Sequence, residues 1–134
     1  MAYSGVTIFL KNRYLYRFSS NSSGEIYMSE EIEARVWRSK IAPTCRGAIF
    51  RAKRWFYATF YSKEADEAKK EKSKENWVKL ARMLVEKSNE AGYSDKAARI
   101  VIYYKDEDGV FNPVKAEIEV FELKKVDTLE IIPS

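Results

Sequence analysis

Trp55, Tyr57 and Tyr61 lie close together in a stretch that also carries Arg51, Lys53 and Arg54. Flat rings can stack on unpaired nucleobases, at about 1–3 kcal/mol per base, while neighbouring cations pair with phosphates. Residues 46–61 alternate as an extended strand would. One face then carries Ile49, Arg51, Lys53, Trp55, Tyr57, Thr59 and Tyr61, and the other Ala48, Phe50, Ala52, Arg54, Phe56, Ala58 and Phe60. The second set is a core face broken only by Arg54. The first mixes cations with rings. Arg35, Trp37, Arg38 and Arg46 extend it. The pattern predicts a nucleic-acid-binding surface of Arg35, Trp37, Arg38, Arg46, Arg51, Lys53, Arg54, Trp55, Tyr57 and Tyr61. Two other readings use the same rings. They could be cross-strand packing partners, or an interface for a second copy or another protein, because Tyr, Trp and Arg dominate such interfaces.

Charge points the same way. The chain has 134 residues and a net charge of +4, unevenly spread. Residues 1–62 carry net +6, and the remainder net −2. From Ala34 through Lys63 there are eight basic residues and no carboxylate. Such a block implies an anionic partner, a phosphate backbone above all. The alternative is a strand edge kept soluble by its cations.

Catalytic chemistry has little to work with. There is no His, which removes the commonest general acid–base and most zinc sites. Cys45 is the single cysteine, so no internal disulfide can form. Arg46 beside it could lower the thiol pKa, but no His stands ready as its base. Five glycines are scattered singly, so no phosphate-cradling loop exists. Glu30, Glu31 and Glu33 form an acidic cluster that could hold a hard cation through oxygen. That cluster is the basis of the enzymatic alternative, a metal-dependent nuclease. The expectation is a non-enzymatic binder with no cofactor. No apolar run is long enough to span a bilayer and no signal peptide is visible, so a cytoplasmic chain without a membrane partner is expected. Asn21-Ser22-Ser23 matches a glycosylation sequon but reads as a polar turn. Abundant Lys and Glu, with neither Gln nor His, lean toward a thermophilic source.

The elements that position these residues follow from periodicity. Residues 6–10 and 14–18 read as two strands about a turn at Lys11-Asn12-Arg13, with one long strand as the rival, and residues 19–24 as a loop. Residues 25–38 read as a strand, with a helix opened by Ser29 as the rival. Ala42-Pro43-Thr44 is a break, and Gly47 a bend or bulge. Residues 46–61 form one long strand, or two joined by a turn at Ala52-Lys53-Arg54. Residues 63–75 are nearly all charge, a solvated helical extension or a mobile arm. Trp77, Leu80, Ala81, Leu84 and Val85 recur at helical spacing, with Gly92 as C-cap. Residues 98–105 and 114–123 make a hairpin about Asp106-Glu107-Asp108-Gly109, with Val114, Ala116, Ile118 and Val120 turned inward. Residues 127–132 add a short last strand. The whole predicts one α+β domain over residues 1–134: an antiparallel β-sheet with one long amphipathic helix packed across one face.

Arg46-Gly47-Ala48-Ile49-Phe50 is similar to the RNP1 element of RNA-recognition domains in its Arg-Gly and its later Phe. Ala48 stands at the first stacking position, however, and Arg51 replaces an aliphatic residue, so that motif is absent. In size, lack of His, basic-aromatic strands and mixed sheet–helix pattern the chain resembles the non-OB single-stranded DNA-binding proteins of hyperthermophilic archaea (the ThermoDBP type) and of the viruses that infect them. The resemblance implies a cleft lined by basic and aromatic groups on a sheet, a homodimer, and an archaeal cytoplasm or that of a virus's host. The functional expectation is sequence-tolerant binding of single-stranded nucleic acid, DNA ahead of RNA.

Overall fold

The computed structural model of the chain describes residues 7–11, 14–61 and 66–133. The loose end expected at residues 1–5, the turn residues Asn12 and Arg13, and positions 62–65 of the charged stretch lie outside them. The described elements run β1 (Thr7–Lys11), β2 (Tyr14–Ser20), β3 (Ile26–Glu33), β4 (Arg35–Arg38), α1 (Cys45–Phe60), α2 (Glu67–Ala91), β5 (Ala97–Glu107) and β6 (Val110–Phe121). The fold is α+β. Its strands form two three-stranded antiparallel sheets, β1-β2-β3 and β4-β5-β6.

The largest departure from expectation is at residues 46–61. They form a helix, and there is no turn at Ala52-Lys53-Arg54. The alternating faces drawn for a strand therefore do not exist. Helical spacing selects a different stripe: Cys45, Ala48, Ile49, Ala52, Phe56 and Phe60 fall at i, i+3, i+4, i+7, i+11 and i+15, and all are buried. The start is fixed just after Pro43. Thr44 is extended and its Oγ1 accepts from the Gly47 N–H at 3.0 Å, an N-cap worth about 1 kcal/mol. Gly47 is thus not a bend. A Cβ there would stand 3.2 Å from Thr44 Oγ1, too close for an unshifted cap.

The strand reading of residues 25–38 holds, divided into β3 and β4 with only Ala34 between. β1 and β2 pair from Lys11↔Tyr14 outward, as expected for two strands about a tight turn. The expected loop at residues 19–24 is closed by Asn21, whose side-chain oxygen accepts from Ser23 and Glu25 N–H groups.

α2 joins the expected Trp77 helix to its charged extension. Asp66 caps it by accepting from the Ala68 N–H, and Gly92 ends it in the left-handed region at φ 76°. β5 and β6 form the expected hairpin. Asp108 and Gly109 both have positive φ (55° and 86°), the pair of left-handed residues that a type I′ turn requires. A bulge lies between Tyr103 and Tyr104, which pair with Lys115 and Pro113. Val114 is the extra residue, and it turns away from Ala116 and Ile118 to pack with Val101 and Tyr103 on the opposite face. Its expected inward place is corrected accordingly.

Both helices cover one face of the β4-β5-β6 sheet, α1 over β5 and α2 chiefly over β6. Between them lies an aromatic core. Phe56 and Phe111 are fully buried, and Phe56 stacks on Trp77 with ring centres 5.3 Å apart. At β6, Ser73 Oγ accepts from the Phe111 N–H at 2.9 Å, and Asn76 donates to the Phe111 carbonyl at 2.8 Å. The helix so satisfies both backbone groups of a residue on the outer strand of its sheet. Residues 122–133 form no strand and are exposed, so the expected last strand at 127–132 is absent. No described helix is long and apolar enough to cross a membrane.

Candidate nucleic-acid interface

A helix turns about 100° per residue, so α1 separates side chains that a strand would have aligned. Trp55 projects toward β4. Tyr57 projects toward α2, where it shares a groove with Trp77 and Val78. Tyr61 ends the helix against α2, with its hydroxyl 3.4 Å from Glu71 Oε1 and the Lys70 ammonium 5.6 Å from its ring centre. The expected row is therefore split: Tyr57 and Tyr61 stay together, 5.2 Å between ring centres, on the α2 side of α1, and Trp55 lies on the β4 side.

What the fold does bring together is Trp55 and Trp37. β4 pairs with β5 so that Trp37 stands opposite Ile102, on the face that α1 covers. The two indoles stack with centroids 4.8 Å apart and planes 15° from parallel. Behind this pair, Trp55 meets Tyr104 at 5.1 Å and Phe111 at 6.1 Å, both edge-on. Both indoles are partly buried against the core; Trp55 meets its rings directly, and Trp37 covers Trp55 from the cleft side.

Trp37 lines a shallow cleft of about 450 Å³ with Arg38, Ser39, Lys40, Arg51 and Arg54. The cleft lies between the end of β4 and the exposed side of α1. Arg38, Lys40, Arg51 and Arg54 are exposed, and among the described residues none has a carboxylate within ion-pair distance. Arg51 leans on the Ile41 carbonyl, 3.5 Å from its Nη1. Ser39 fixes the floor: its N–H donates to the Ile100 carbonyl, and its hydroxyl accepts from the Ile100 N–H at 2.9 Å. Four like charges line one cleft, none ion-paired among the described residues, which raises the local potential and favours an anion.

The other candidate cations are differently placed. Arg35 pairs with Asp106 at 3.2 Å, and Arg46 pairs with Asp95. Lys53 lies on the α2 side of α1 with Tyr57. None of these lines the Trp37 cleft. Lys40 does, although the strand pattern gave no reason to single it out. Its membership of the carboxylate-free block was the available signal.

No family model, no curated protein and no solved structure matches this chain.

Cys45 is fully buried, and burial pushes its thiol pKa up rather than down, against the expectation drawn from Arg46. Such a thiol stays protonated and unreactive at neutral pH. Of the acidic cluster, Glu33 is exposed, and the side chains of Glu30 and Glu31 lie outside the described residues. Among the described residues no group of three or more His, Cys, Asp or Glu is arranged to hold a metal.

Proposed function

We propose that the protein binds single-stranded nucleic acid, DNA ahead of RNA, along the cleft between β4 and α1. The observation that carries the reading is the set of four cations around Trp37 that have no carboxylate partner among the described residues. Trp37, backed by Trp55, offers a rigid ring on which an unpaired base can stack, and Arg38, Lys40, Arg51 and Arg54 meet the phosphates on either side. Ring stacking and phosphate pairing are both indifferent to base identity, so binding tolerates any sequence. A duplex buries its base faces and gives Trp37 nothing to stack on, which favours single strands. The reading needs no metal and no catalytic group.

Tryptophan fluorescence tests it. Titrating an oligothymidylate at low salt is expected to quench emission as a base covers Trp37. Unchanged emission, with no binding by an independent method, would remove the reading.

A further inference from the structure

Beyond the cleft, we propose that residues 127–132 of one chain dock in the groove between α1 and α2 of a second copy, and that the exchange is reciprocal. The tail after β6 carries Leu123, Val126, Leu129, Ile131 and Ile132, each between 74% and 91% exposed. So many bare aliphatic side chains in one short segment need a cover. The same chain carries a groove that none of its described residues fills. A groove of about 740 Å³ between the helices is floored by Ile49, Trp77 and Ala81, and Phe50 at its rim is 58% exposed.

Charge and length agree. The segment carries Asp127 and Glu130 and no cation, while the groove is lined by Arg46, Lys53 and Arg82 against the single carboxylate of Glu86. Between Arg46 and Tyr57 the helix advances about 16 Å, and residues 127–132 in extended form cover roughly the same distance. Thr128, Ile131 and Ile132 favour that extended form, with Leu129 and Ile131 on one side to face the groove. The tail stands clear of its own body, so a second copy is the occupant it meets. Reciprocal exchange about a two-fold axis fills two grooves with two tails and leaves neither exposed.

The test uses the full chain. Sedimentation equilibrium is expected to give a dimer, weakened at least tenfold by Ile131→Asp and likewise by Phe50→Asp. Both positions are exposed, so folding should survive, and circular dichroism checks it. Carbodiimide treatment of a mixture of isotopically heavy and light chains should join Lys53 to Glu130 in mixed heavy–light peptides. A monomeric wild-type chain, cross-links only within one chain, or a dimer indifferent to Phe50→Asp would each overturn the proposal. Lys53 and Phe50 do not line the Trp37 cleft, so oligonucleotide binding is measured independently of this result.

Discussion

The indoles of Trp37 and Trp55 lie face to face, 4.8 Å between centroids, joining edge strand β4 to the helix that follows it in the chain. Their roles differ because their surroundings differ. Trp55 is wedged against Tyr104 and Phe111, whereas Trp37 lines the cation-rich cleft.

Trp37→Ala is therefore expected to weaken oligonucleotide binding roughly five- to a hundredfold, the loss of one stacking contact. Trp55→Ala is expected to cost about 3 kcal/mol of stability, as for truncation of a large core aromatic. Urea unfolding and binding isotherms on both variants check the division. Equal loss of stability in the two would contradict it.

Arg54→Ala and Lys40→Ala should each reduce the salt dependence of binding by about 0.7 in the logarithmic slope, one phosphate contact on a single strand. Arg35→Ala and Arg46→Ala remove cations already paired with Asp106 and Asp95, and should leave the slope unchanged.

Ser73→Ala should destabilise the fold by about 1–3 kcal/mol, because the buried Phe111 N–H would lose its acceptor. Denaturant midpoints measure this. Binding of the folded variant to oligonucleotide should be unaltered, since Ser73 does not line the cleft.

Alkaline pH should weaken the fold through Tyr103 and Tyr104. Burial raises both phenol pKa values, and for Tyr103 the hydrogen bond and negative charge of Glu117 raise it further. Unfolded, each phenol loses its proton near pH ~10. Folded, each holds it to higher pH. Their contribution is thus full below about pH 10 and is lost as pH rises through the folded values. Stability measured from pH 8 to 11 should fall less steeply for Tyr103→Phe than for the wild type.

Where one period dominates, the fold is legible in the sequence. Trp77, Leu80, Ala81, Leu84 and Val85 admit only a helix, and Gly92 marks its end. The β5–β6 hairpin follows from alternation about Asp108-Gly109. α1 is harder, because Ala48, Ala52, Phe56 and Phe60 satisfy both a period of 2 and one of 3.6. Aromatic density then favours the strand by propensity. Two signals decide against it: sixteen residues are long for a strand, and Pro43-Thr44 has the chemistry of a helix start. The candidate site shows the same limit. The carboxylate-free block located its cations, but only the crossing of β4 and α1 selects Arg38, Lys40, Arg51 and Arg54 and parts them from Tyr57 and Tyr61. The bulge that turns Val114 over depends on pairing register, which single-strand alternation does not contain.

The most direct test is the salt dependence of binding to single-stranded and duplex oligonucleotides of equal length. Four phosphate contacts on a single strand predict a logarithmic slope of about −3, with the single strand bound more tightly than the duplex. Arg51→Ala/Arg54→Ala should bring that slope to about −1.4. Absence of binding at low salt, or a duplex held as tightly as the single strand, would contradict the account.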